Sequence, residues 1–315
     1  MRRATAVSLA LLVSLTVAGR ATGEGLFLAP GDLAPKARAE LVQAVVTGRR
    51  VEPGAFEALA ALRERVEEPA QGQGKRVPSV LRELLGLGGA AVPAILNELA
   101  VDGARRPMSD RGRGQWTRDL LDGLAVLRVP VSVAVLEELV ARRAEGFLVV
   151  RASAAALSVH DTERTARVLV AASQRGSVRR RLAVLAGMGA CRRRVVAERL
   201  FLALAAARGR SDERIAIQHL ARALGTLGDA SAWDALSSER RTDEGAIRGG
   251  AAHALVLAFA VEEDPVTRRA LTQALLLVDE VSTGQLVRTE RDAADPTRRE
   301  RLDELSRRVQ RNPLR

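Results

Sequence analysis

Two arginine triplets, Arg179-Arg180-Arg181 and Arg192-Arg193-Arg194, are the densest concentration of one chemistry in this chain. Arg208 and Arg210 follow them, and residues 175–210 carry 10 basic side chains against 1 acidic. The remainder is close to balanced, with 23 basic and 19 acidic side chains over 1–174 and 16 and 18 over 211–315. Most of the net charge of +11 therefore belongs to one segment. A guanidinium is a planar, permanently charged fork that matches carboxylate and phosphate oxygens. If each triplet opens one of two antiparallel helices, the triplets lie at opposite ends, about 15 Å apart for a ten-residue helix. Arg208 and Arg210 then return to the end that holds Arg179–Arg181. Helix N-termini already favour anions, so this hairpin reads as a docking edge for an acidic protein surface, an anionic lipid or a polyanion. The competing reading is solvated arginine in an arginine-rich chain, since Lys36 and Lys75 are the only lysines among 49 basic residues.

The other reactive side chains are single and scattered. Cys191 is the only cysteine, which rules out an intrachain disulfide and a cysteine-based metal site. Neighbouring arginines could lower its pKa at a helix start; the plainer expectation is a small residue at a helix junction. His160, His219 and His253 fall in different segments without metal-ligand spacing and read as core or ridge histidines. Gly86-Leu87-Gly88-Gly89 follows no strand, so it is a helix terminus and not a phosphate loop. No paired carboxylates, nucleophile–base pair or cofactor motif appears; the expectation is a protein that is not an enzyme, with no cofactor and no metal.

The elements that must position the arginines are legible in Ala223-Leu224-Gly225-Thr226-Leu227-Gly228-Asp229. Ala216, Leu220, Ala223, Leu224 and Leu227 fall at helical spacing on one apolar stripe. Ala223 and Gly225 are small enough for a neighbouring helix to come close. Gly228 is expected to stop the helix with a positive φ, and Asp229 to cap the next one through N–H groups near Ser231 and Ala232. Looser copies surround Leu84, Leu124, Leu157, Leu185 and Leu255, at gaps of 40, 33, 28, 39 and 31 residues when Leu224 is included. Such an irregular period of 28–40 residues fits paired-helix repeats. Predicted hairpins run over 34–67, 78–100, 115–143, 147–174, 177–207, 213–238 and 245–277. Glu68–Pro78 and Asp102–Gly114 read as irregular connections.

The phrase resembles the HEAT family, in particular the short HEAT-like or phycobilisome-lyase-type repeat. That repeat's loose pattern is Val-Arg-x-x-Ala-Ala-x-Ala-Leu-Gly-x-Leu-Gly-Asp before a second apolar helix. Val149–Leu157, Ala216–Asp229 and Ile247–Leu255 each match part of it, over a region of roughly 75–280. The resemblance implies an all-α fold, a right-handed α-α superhelix of about 6–8 antiparallel helix pairs. It also implies a binding scaffold whose second helices, including Ile95–Leu99, Val195–Leu204 and Trp233, line the concave face. A lyase activity is suggested only by the repeat's family name.

At the start, Arg2 and Arg3 precede an apolar run from Ala6 to Ala18 and then small residues. This is the order of a secretory signal peptide over 1–21; an uncleaved anchor is the alternative, and no second membrane span is expected. Residues 22–33 read as an extended lead-in, 34–295 as the repeat domain, and 296–315 as a capping helix and tail that frays over 311–315. Leu302, Leu305 and Val309 give the last helix a thin apolar stripe. Tyrosine is absent and aromatic residues are 2% of the chain, which argues against RNA or single-strand recognition by stacking. The functional expectation is an exported scaffold that binds a protein partner, with an anionic surface as a further candidate; a nucleic-acid-binding HEAT-like protein is the alternative.

Overall fold

The computed structural model describes residues 26–70, 76–103, 108–142 and 146–312. The expected signal peptide, and Arg105 and Arg106 of the 102–114 segment, lie outside the described residues. Helices come in successive pairs: α1 (Pro35–Val51) and α2 (Pro53–Ala70), α3 (Leu81–Gly86) and α4 (Ala91–Ala100), α5 (Asp110–Leu127) and α6 (Val133–Ala141). Next come α7 (Phe147–Ser158) and α8 (Glu163–Ala172), then α9 (Val178–Gly187) and α10 (Arg194–Ala207). The chain continues through α11 (Arg214–Gly228), α12 (Ala230–Asp234), α13 (Glu244–Val261), α14 (Pro265–Val278), α15 (Thr283–Asp292) and α16 (Pro296–Gln310). Among the described residues there is no strand. The fold is all-helical.

Side-by-side packing links α3 to α5, α5 to α7, α7 to α9 and α9 to α11. A second series links α6 to α8, α8 to α10, α10 to α13 and α13 to α15. Leu84, Leu124, Leu157 and Leu224 are all fully buried between the two series, where an apolar stripe at helical spacing must go.

The best copy of the repeat phrase differs from expectation in two ways. Gly228 is the last residue of α11 and has no positive φ; among the described residues, the glycines in that region are Gly88, Gly176 and Gly209. Its smallness serves a close approach instead, because a Cβ there would stand 2.7 Å from Val278 Cγ2. Gly225 likewise faces Ala274, with Cα 3.0 Å from where a Cβ would be. Asp229 does cap α12, accepting from Ala232 N at 3.3 Å. The second difference concerns α12 itself, which spans only Ala230–Asp234 and is too short to complete the hairpin expected over 213–238. Its Trp233 is buried and donates through Nε1 to Leu227 O at 2.8 Å. The chain therefore crosses over: α13 packs beside α10, and α14 packs along α11. Ala274-Leu275, not Ala254-Leu255, continues the series of Ala223-Leu224.

Several other boundaries move. Gly112 and Gly114 lie inside α5, whose N-cap Ser109 accepts from Gly112 N at 3.2 Å, so the irregular connection before it ends at Ser109. α2 runs on to Ala70, so the expected 68–78 loop starts later. The lead-in contains a short 3-10 turn, Pro30–Asp32, and is docked by Leu26 N donating to Glu98 O at 2.8 Å. Asn312 is buried and donates to Leu276 O at 3.0 Å and Asp279 Oδ1 at 2.9 Å, so the tail is tied down to that residue. Ile95, Leu96, Leu99, Val196, Leu200, Leu204 and Trp233 are buried and cannot line an exposed face; of the large apolar positions expected there, Val195 and Leu202 are exposed. α13 is long and apolar enough by composition to cross a membrane, yet it packs against α10, α11, α14 and α15.

Candidate docking edge

α11 and α14 run in parallel, with Gln218 Nε2 donating to Thr267 Oγ1 at 3.0 Å near their starts and Gly228 against Val278 at their ends. The same alignment holds where Gly187 near the end of α9 meets Ala154 and Ala155 of α7, and where Gly189 after α9 meets the backbone of Ala223. The C-terminal ends of these helices therefore form one edge of the molecule and their N-terminal ends the opposite edge.

The C-terminal edge is stitched together by Asp161. This residue follows α7 in the left-handed region (φ 49°) and is 7% exposed. Its Oδ1 accepts from Arg192 N at 2.8 Å, its Oδ2 from Arg240 Nη2 at 2.5 Å, and its carbonyl from Arg193 Nη2 at 2.6 Å. Arg193 also lies 3.4 Å from Glu163. Arg192 places its guanidinium 5.7 Å from the centroid of the Trp233 ring, a cation–π contact, and is half-buried. Burial works against the Arg192 charge, and Asp161 and Asp229 oppose that effect. Arg194, the first residue of α10, pairs with Glu198 at 3.0 Å. Arg192 and Arg193 thus bond neighbouring turns to one another, while Arg194 stays exposed with its charge paired inside its own helix.

Cys191 sits in this turn, before α10 and not at its start, and is fully buried. Burial, then the Asp161 charge, pushes its thiol up to about 12. That is the reverse of an activated thiolate. His160, also at this edge, has its pKa lowered by burial and then by Arg128, and stands 3.4 Å from Ser132 Oγ. Among the described residues no group of His, Cys, Asp or Glu is placed to hold a metal ion.

The N-terminal edge is different. Arg180 is buried and donates to Val140 O at the end of α6. Arg181 is half-buried, donating to Gly176 O at 2.8 Å. Arg210 pairs with Asp212 at 3.2 Å and Glu213 at 3.5 Å. Arg175, Arg179 and Arg208 are exposed, and their guanidinium groups make no ion pair or hydrogen bond with the described residues. The proposed cluster of eight arginines therefore divides between two edges, and Arg179 and Arg208 are its free members.

Sequence reasoning missed a row of apolar side chains on this same edge. Leu148, Val178, Ile215 and Val266 occupy the first or second position of α7, α9, α11 and α14, and are 51%, 63%, 70% and 59% exposed. These helices are successive neighbours. With helix axes about 8–10 Å apart, the row extends over about 30 Å. In the sequence each residue resembles the start of a core stripe. Its exposure follows from its place ahead of the first buried turn.

No family model, curated protein or solved structure matches the chain. The functional reading therefore rests on this geometry.

Proposed function

We propose that the protein is an exported HEAT-like scaffold, a right-handed α-α superhelix, that docks an acidic, amphipathic helical segment of a partner protein along its N-terminal edge. The observation that carries this reading is the exposed row Leu148, Val178, Ile215 and Val266 with Arg179 and Arg208 unpaired beside it. Successive neighbours in the row are one helix spacing apart, about 8–10 Å. Two turns of a partner helix, seven residues, advance about 10.5 Å. Apolar residues at that interval can therefore meet the row while intervening carboxylates meet the arginines. The superhelix is supported by the two series of neighbouring helices, and export by the charged, apolar and small-residue order of residues 1–21. Trp116 and Trp233 are both fully buried, so neither offers a ring for stacking on bases, which favours a protein partner over nucleic acid.

The test uses the chain from residue 22 and two labelled helical peptides with leucine every seventh position, one rich in Glu and one rich in Lys. Fluorescence anisotropy should show the acidic peptide binding and the basic one not. Affinity should fall at least tenfold in the pair R179E/R208E and in the pair V178S/I215S, and should weaken with salt. Equal binding of both peptides, or no loss in either variant, would overturn the proposal.

A further inference from the structure

Asp119 and Asp122 lie one turn apart on α5 and have opposite circumstances. Asp119 is 1% exposed and fully occupied: its carboxylate accepts from Ser79 Oγ at 2.9 Å, Val80 N at 2.9 Å and Gln115 Nε2 at 2.9 Å. Asp122 is half-buried and makes no hydrogen bond or ion pair with the described residues. It lines a cleft of about 210 Å³ between α5 and α7, with Arg118 and Arg151 on the same cleft. Neither arginine forms an ion pair with Asp122 or with another described residue, although both are near enough to favour its charged form. The rest of the cleft is apolar, formed by Val149, Ala152, Ala155 and Ala186.

A cleft with one unpaired carboxylate, two unpaired guanidiniums and a short apolar wall matches a molecule carrying both charges and a small hydrocarbon group. We propose that the α5–α7 cleft binds a small zwitterion of the aliphatic α-amino-acid class. The ammonium group meets Asp122, the carboxylate meets Arg118 and Arg151, and the side chain lies on the alanine wall. The cleft is smaller than the pockets of roughly 300–1,000 Å³ that take drug-sized ligands. Burial raises the Asp122 pKa, with the nearby Asp119 charge as the second cause. An incoming ammonium group relieves both.

The experiment is calorimetric titration of the folded chain with three isosteric probes: L-leucine, 4-methylpentanoate, which lacks the ammonium group, and 3-methylbutylamine, which lacks the carboxylate. Leucine should bind at least tenfold more tightly than either half-ligand. D122N should weaken leucine at least tenfold and should not weaken 4-methylpentanoate, whose carboxylate loses a repelling neighbour. Circular dichroism and thermal melts establish that the variant folds. Absence of leucine binding at millimolar concentration overturns the proposal, and so does 4-methylpentanoate binding as tightly as leucine, which would make the cleft a simple anion site. Leu148, which borders both the cleft and the docking row, is left intact. The outcome is thereby separable from that of the peptide test.

Discussion

At the residue scale, the same amino-acid type proves to serve distinct physical ends. Gly228 and Gly189 are both followed by the turn into a new segment, and glycine there suggests a positive φ. The structure uses both for proximity. A Cβ on Gly189 would collide with the carbonyl of Ala223, which belongs to a helix backbone and cannot rotate away. Gly189→Ala should therefore cost about 1–3 kcal/mol, the range for overpacking. Gly86→Ala, which meets nothing within 4 Å, should stay within about 0.5 kcal/mol. Urea denaturation of the two variants tests the contrast; equal midpoints would show that α9 and α11 separate easily. Cys191 supplies a second residue-scale test. With its thiol buried and its pKa raised to about 12, it should not react with Ellman's reagent in the native protein and should react fully in guanidinium chloride. Rapid native labelling would contradict the burial. The Asp229 cap was legible in the sequence because an N-cap is a local interaction. The Gly228 contact was not, because its partner Val278 lies fifty residues away.

At the element scale, helix positions were legible where apolar periodicity is strong, and pairing was legible until α12. Ala232-Trp233-Asp234-Ala235-Leu236 restarts the apolar pattern, but the buried Trp233 folds back onto Leu227 and the helix ends at Asp234. No local signal shows that α13 then takes the place beside α10. The second arginine triplet escaped a correct reading for a similar reason. Its function depends on Asp161, thirty-one residues earlier, which a linear reading passes over as an ordinary loop aspartate. Asp161→Ala removes the acceptor for Arg192 N and for Arg240 and keeps a β-carbon in the left-handed region. The arginine partners are 36% and 49% exposed, so solvent recovers part of the loss. A cost of about 2 kcal/mol is expected, chiefly from the stranded backbone N–H. Asp161→Asn keeps one acceptor oxygen and tolerates the left-handed region, so its cost should be about half. Denaturation midpoints in the order wild type, Asn, Ala test this; an unchanged Ala variant would show that the turn is held by other contacts.

At the scale of the whole molecule, a stack of helices has two ends, and each must be closed without inviting another copy. α16 packs on α15 at the C-terminal end of the helix series. Its Leu302 and Leu305 are 1% exposed and its Val309 9%, packed toward α15 and, less extensively, α13 and α14. Its opposite side carries Arg299, Glu300 and Glu304, with Arg308 bound to Glu304 at 2.6 Å. That division of apolar and charged faces was legible from the thin stripe in the sequence, since one neighbour on one side requires only a narrow stripe. The anchor at Asn312 was not, because amides carry no comparable periodic signal. Removing residues 296–315 should expose the apolar side of α15 together with the seats of Leu302 and Leu305. An uncovered apolar face of this kind binds its like. Light scattering coupled to size exclusion should then show the truncated chain passing from monomer to larger species as concentration rises, while the full chain keeps one mass. Restoring the helix with Leu302→Glu and Leu305→Glu should behave like the truncation, because carboxylates cannot enter the buried seats unpaired. A truncated chain that stays monomeric at every concentration would show that α15 alone closes the stack and would remove the capping role from α16.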